Sequence, residues 1–171
     1  AQMDEPPHGP WYYQQVELGF NYRITDMQAA LGLSQLGKLD GFLARRRALV
    51  TRYQALLAEL PLTLPALQPE AESAWHLYVV RVQTERLSIS HREVFDGLRA
   101  AGIGVNVHYI PVHLQPYYRD LGFKPGDFPE AEAYYAQAIS LPMYPAMTDE
   151  QQDFVVDQLR RLLSSGQGLR S

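Results

Sequence analysis

Cysteine is absent from the 171 residues. That excludes a disulfide framework, thiolate chemistry and cysteine-ligated zinc or iron–sulfur centres, and it fits a cytoplasmic protein. Lysine is scarce, with only Lys38 inside a helical pattern and Lys124 in a Gly-Pro loop. Basic side chains number 15 against 19 acidic ones, for a net charge of −4. Neither nucleic acid nor an anionic membrane surface is therefore an expected partner. No apolar run approaches the ~20 residues of a membrane span, and the polar, Pro-rich start does not resemble a signal peptide. A Gly-rich phosphate loop, a nucleophile elbow and a paired-carboxylate motif are also missing. These absences leave a soluble α/β or α+β domain. The opening Pro6-Pro7-His8-Gly9-Pro10 reads as a connector, which suggests a piece of a longer chain.

Three segments carry a Ser or Thr followed three residues later by Glu or Gln, the reciprocal cap of a helix start: Thr25 and Gln28, Ser90 and Glu93, Thr148 and Gln151. The first opens an apolar-periodic stretch running to Leu60, longer than an average helix and interrupted by Gly32, Gly37 and Gly41. The glycines predict two helices or one bent helix, with the break near 37–41. The second predicts a helix over 90–101 with Val94, Phe95, Leu98 and Ala101 inward and Gly102 as its stop. The third predicts a helix over 148–164 that buries Phe154, Val155, Leu159, Leu162 and Leu163. Pro129 at an early helical position predicts a further helix to about Ile139. Aromatic and β-branched enrichment predicts a strand over 75–82, alternation predicts another over 103–110, and a short one is expected near 139–142. The sum is a small sheet with helices packed on one face, and a frayed tail over 166–171.

Residues 104–118 are the densest polar-aromatic patch. Alternation sets Asn106 and His108 opposite the valines, while Pro111 and Pro116 stiffen the exit and hold His113, Tyr117 and Tyr118 nearby. A hydrogen-bonding aromatic lip of this kind suits a ring-shaped polar ligand such as a sugar or nucleotide, and a strand with a Pro-stiffened loop and ordinary surface histidines explains it equally simply. His108 and His113, five positions apart, match neither helix nor strand ligand spacing, so no metal site is expected. Asn21 and Arg23, just ahead of a capped helix, are placed for a phosphate or carboxylate, or form only a helix lead-in. The run Arg45-Arg46-Arg47 is expected to be a solvated helix face. Trp75-His76 is expected to pack at a strand start, with His76 available for binding.

Four segments in order resemble the DegT/StrS family of sugar aminotransferases: Gly19-Phe20-Asn21-Tyr22-Arg23-Ile24-Thr25-Asp26-Met27-Gln28-Ala29-Ala30, then Ser73-Ala74-Trp75-His76-Leu77-Tyr78, then His108-Tyr109-Ile110-Pro111-Val112-His113, then Ser140-Leu141-Pro142-Met143-Tyr144-Pro145 with Thr148-Asp149-Glu150-Gln151. The resemblance implies the small C-terminal domain of the aspartate-aminotransferase fold, α+β, with a mostly antiparallel sheet covered by helices. It implies that 1–24 is a remnant of the large domain and dimer interface, 25–61 a long bent connecting helix and 62–171 the small domain. It implies a pyridoxal phosphate enzyme, homodimeric when complete, taking a nucleotide-sugar substrate and an amino-acid donor. The form of the third segment is most similar to the pseudaminic-acid branch, which implies amination at C4 of a UDP-linked 4-keto-6-deoxy sugar from glutamate. Asn21 and Arg23 match cofactor-binding positions; His108, Tyr109, His113 and His76 match the substrate pocket. The lysine that anchors the cofactor lies upstream in the family, so no catalytic residue is carried over and this chain alone is expected to be inactive. Two alternatives stand beside this reading: a non-catalytic ligand-binding or interaction module, and part of a pyridoxal-phosphate-dependent sugar dehydratase.

Overall fold

The computed structural model describes residues 14, 17–20 and 22–165. Asn21, the connector at 6–10 and the tail at 166–171 lie outside the described residues. The chain divides into two compact units, Ala1–Lys38 and Leu39–Ser171. In the first, α1 (Asp26–Leu36) starts from the expected cap: Thr25 Oγ1 accepts from Gln28 N at 3.3 Å, and Gln28 Oε1 accepts from Thr25 N at 2.9 Å. None of its residues is buried. The helix ends at Gly37, and α2 (Leu39–Leu57) is a separate helix, so the glycine-marked break is real.

The second unit is an α+β arrangement around one three-stranded antiparallel sheet in the order β1 (Leu62–Thr63), β2 (Tyr78–Val82), β3 (Ala138–Leu141). The register pairs Tyr78 with Leu141, Val79 with Ser140 and Val80 with Ile139. Alternation turns Tyr78, Val80 and Val82 to the core. There they meet Leu49, Tyr53 and Leu57 of α2, Val94 and Leu98 of α3 (His91–Ala100), and Val155, Leu159 and Leu163 of α6 (Asp149–Ser165). Each such side chain stabilises the fold by about 1.5–3 kcal/mol when fully buried, so this contact set fixes how helices and sheet meet. The opposite face is not bare, contrary to expectation. After the short helix α4 (Pro116–Asp120), helix α5 (Pro129–Gln137) packs against β2, and its Tyr134 shares a groove with Val79 and Arg81.

Other sequence expectations also need correction. The strand expected from Trp75 begins only at Tyr78. Trp75 sits at φ +50°, and the carbonyls of Trp75 and His76 accept from Arg46 Nη1, so these groups serve an arginine and not a ladder. The strand expected over 103–110 is reduced to a single bridge between Asn106 and Ser140. Asn106 Oδ1 accepts from Val107 N at 2.8 Å, a local bond that competes with strand pairing. In α6 the buried stripe holds Gln152 and Val156, while Phe154 is exposed. Gln152 tolerates burial because its Nε2 donates to Leu49 O at 2.8 Å.

The arginine run is only partly a solvated face: Arg47 is exposed, while Arg45 and Arg46 are half-buried. Arg46 Nη1 donates to the carbonyls of Trp75 at 2.9 Å, His76 at 3.1 Å and Met143 at 3.2 Å. Arg45 donates to Met147 O and to Asp149 Oδ1, and Arg47 donates to Glu72. Successive residues on α2 thus fasten two irregular loops, because irregular backbone leaves carbonyls that only a long donor can reach.

Candidate functional site

The polar-aromatic segment runs beside β3. Ile103 and Val105 are buried and seat its start. The bridge follows, with Ser140 N donating to Asn106 O at 2.8 Å and Asn106 N donating to Ser140 O at 3.4 Å. His108 is then caught between two polar side chains, its Nδ1 2.7 Å from Ser140 Oγ and its Nε2 3.2 Å from Asn106 Nδ2. The Tyr109 ring stands edge-on to the His108 ring, centroids 4.6 Å apart at 76°, and is 72% exposed. Ile110 and Val112 are exposed beside it, while Pro111 is buried and opens a single 3-10 turn, Val112–Leu114. The structure therefore brings His108 and Tyr109 together as one projecting lip.

His113 goes elsewhere. Only 6% exposed, its Nε2 lies 2.8 Å from Glu132 Oε1 on α5, and the same oxygen accepts from Gly126 N at 2.7 Å. Its ring lies 4.8 Å from that of Phe128. With Val112, Tyr118, Phe123 and Ala131, these two rings line an apolar groove of about 390 Å³. The bond from His113, then that from Gly126, holds the Glu132 carboxyl below its ordinary value of 4.5. A carboxyl with a lowered folded-state pKa contributes stability above its unfolded value, and that contribution disappears as pH falls through the folded value. Acidification below the usual carboxylate range should therefore release this clasp. Hydrogen exchange at the Gly126 amide reads it: Glu132→Ala should remove the protection already at neutral pH, and equal protection in both proteins would show that the clasp does not hold the loop.

His76 is exposed and lines a different groove, of about 660 Å³, with Arg46, Phe42 and Tyr144. Arg23 is exposed ahead of α1. Sequence reasoning singled out neither Ser140 nor Glu132 for the segment. Ser140 stood in a quoted motif, which was a usable signal; nothing in the pattern pointed to Glu132. Among the described residues no cluster of three or more His, Asp or Glu side chains could hold a metal ion, and no helix is long and apolar enough to cross a membrane.

The profile of the DegT/DnrJ/EryC1/StrS aminotransferase family matches residues 5–160. The spore coat polysaccharide biosynthesis protein SpsC of Bacillus subtilis (strain 168) is 39% identical over 159 residues, which is 91% of this chain and 41% of that protein. Spr1654 of Streptococcus pneumoniae, assigned as a sugar aminotransferase and solved in its PLP form, superposes with a TM-score of 0.79 at 33% identity over 91% of this chain and 40% of that one. Helicobacter pylori PseC, an aminotransferase involved in the biosynthesis of pseudoaminic acid, superposes at 0.80 with 25% identity over 92% of this chain and 42% of its own. The chain thus spans about two fifths of the length of the relatives it matches.

Pyridoxal phosphate needs an amine to anchor it, a carboxylate against its ring nitrogen and donors for its phosphate. Lys124 occupies an exposed turn, where its N–H donates to Asp127 Oδ2, and Lys38 is exposed at the break after α1. Neither lines any of the grooves described above or the one against Pro142 and Phe154. The described residues do not make a site for this cofactor by themselves.

Proposed function

The chain belongs to the DegT/DnrJ/EryC1/StrS aminotransferase family, and from that membership we propose that it is the C-terminal part of a pyridoxal-phosphate-dependent sugar aminotransferase. Residues 62–171 form its small domain, 25–61 the connection and 1–24 a remnant of the large domain. The complete enzyme transfers an amino group from an amino acid, glutamate, to C4 of a UDP-linked 4-keto-6-deoxy sugar, as a cytoplasmic homodimer. The cofactor-anchoring lysine belongs to the rest of that enzyme, while Asn21 and Arg23 are offered to the cofactor phosphate. Sugar recognition falls to Tyr109, supported by His108; His113 is turned in to Glu132 and His76 lines a separate groove, so neither is part of this lip.

The observation that carries the substrate side is the exposed Tyr109 ring propped on a hydrogen-bonded His108. A large exposed aromatic that rests on a fixed neighbour loses little entropy when a sugar ring packs on it, and its hydroxyl is free to bond a sugar oxygen. The similar structures point the same way, one assigned as a sugar aminotransferase and solved in its PLP form and the other an aminotransferase of pseudoaminic acid biosynthesis.

A chimera tests this. Replacing the matching segment of SpsC with this chain should yield a protein that binds pyridoxal phosphate, with its visible absorption band, and aminates a UDP-linked 4-keto-6-deoxy sugar. Tyr109→Ala in that chimera should raise the sugar KM about tenfold, some 1.4 kcal/mol of binding, with the band unchanged. An unchanged sugar KM would remove Tyr109 from the substrate site, and dehydration in place of amination would move the protein to the dehydratase branch.

A further inference from the structure

We infer that Asn106 and Ser140 are positioning residues that hold His108 in its less common Nδ1–H tautomer and so present Tyr109 to the substrate; this rests on the reading of the lip as the sugar site. The Asn106 amide is oriented by the backbone. Its Oδ1 accepts from Val107 N at 2.8 Å, which turns its NH2 group toward His108 Nε2 at 3.2 Å. An amide NH2 donates and has no lone pair to give, so Nε2 must accept and the ring proton must sit on Nδ1. Nδ1–H then meets Ser140 Oγ at 2.7 Å, and Ser140 is 4% exposed.

Neither partner can drift. Ser140 is set by its register opposite Val79, and its backbone exchanges two hydrogen bonds with Asn106. The ring is thereby gripped at both nitrogens by groups that the sheet itself places. Tyr109 leans edge-on against this fixed ring, and that contact is lost if the imidazole turns. His108 thus acts through its neighbour, as a pedestal whose two polar atoms are already engaged, and Tyr109 is the group left facing outward.

The tautomer is directly observable in the long-range proton–nitrogen spectrum of the histidine rings of this chain labelled with nitrogen-15. The expected spectrum for His108 has a protonated Nδ1 and a bare Nε2. Asn106→Asp places a carboxylate oxygen opposite Nε2 and should put a proton there; position 106 is exposed, so the fold should survive, and the backbone amide spectrum checks that it does. Ser140→Ala removes the Nδ1–H acceptor and should shift the ring toward Nε2–H, while Ser140→Thr should keep the parent tautomer. In the chimera, Asn106→Asp and Ser140→Ala should raise the sugar KM about fivefold, the loss of roughly one hydrogen bond, and leave the amino-donor KM alone. A wild-type His108 protonated on Nε2, or an Asn106→Asp spectrum identical to the parent's, overturns the tautomer lock. A reversed tautomer with an unchanged sugar KM instead removes the sugar from this lip, and the positioning role with it.

Discussion

Arg46→Ala should lower the stability of the second unit by about 2–4 kcal/mol, read as a fall of roughly 10 °C in the unfolding midpoint. The size of the effect comes from what is stranded. One guanidinium nitrogen satisfies three carbonyls, those of Trp75, His76 and Met143, and Arg46 is itself partly buried. Bonds from a charged donor are worth about 1.5–3 kcal/mol each in favourable cases, but these three share one nitrogen and their contributions do not add fully. Water reaches part of this site, which returns some of the loss. Arg46→Lys separates charge from reach: an ammonium brings three protons to one point where Nη1 shares two, but on a shorter stem, so it should restore part of the stability and not all of it. A loss below about 0.5 kcal/mol for Arg46→Ala would be the signature of an ordinary surface arginine and would contradict the tethering role. The same substitution should loosen the groove that His76 lines, because the backbone of His76 is one of the tethered points.

Leu159→Ala should cost more, about 3–5 kcal/mol in denaturant unfolding with little change in the slope. Leu159 is fully buried in α6, the helix that meets both α2 and α3. The cavity would open where three helices converge, and each is held by its other contacts, so collapse into the space is limited. Leu159→Met keeps most of the volume on an unbranched stem and should cost less than about 1.5 kcal/mol. Should Leu159→Ala prove as mild as the methionine variant, the core around α6 is not close-packed. Phe154, the residue that periodicity placed inward, is exposed and should tolerate alanine with a change within about 0.5 kcal/mol.

The contrast between Leu159 and Phe154 shows where the limit of sequence reasoning lies. The amphipathic period and the cap at Thr148 placed α6 and most of its buried stripe, since both act within a few residues. Which way the stripe rotates was decided by Leu49, whose carbonyl receives the amide of Gln152 from more than a hundred residues away. The same division holds at the site. Residues 104–118 announced themselves through composition, and the quoted motifs identified the family before any contact was known. Alternation alone then read 103–110 as a strand. Competition settled it otherwise: the Asn106 side chain captures the next backbone N–H, and among the described residues only Ser140 bridges to the segment.

By itself, then, the sequence determined the helix starts at Thr25, Ser90 and Thr148, the glycine break after α1, the α+β class and the family, because caps, breaks and motifs are local or linear signals. The tertiary structure alone decided that Arg46 is a tether, that His113 turns inward to Glu132, and that Ser140 grips His108. Each of these joins partners between 19 and 97 residues apart, and a hydrogen bond is chosen by distance and direction in space, which no spacing along the chain encodes.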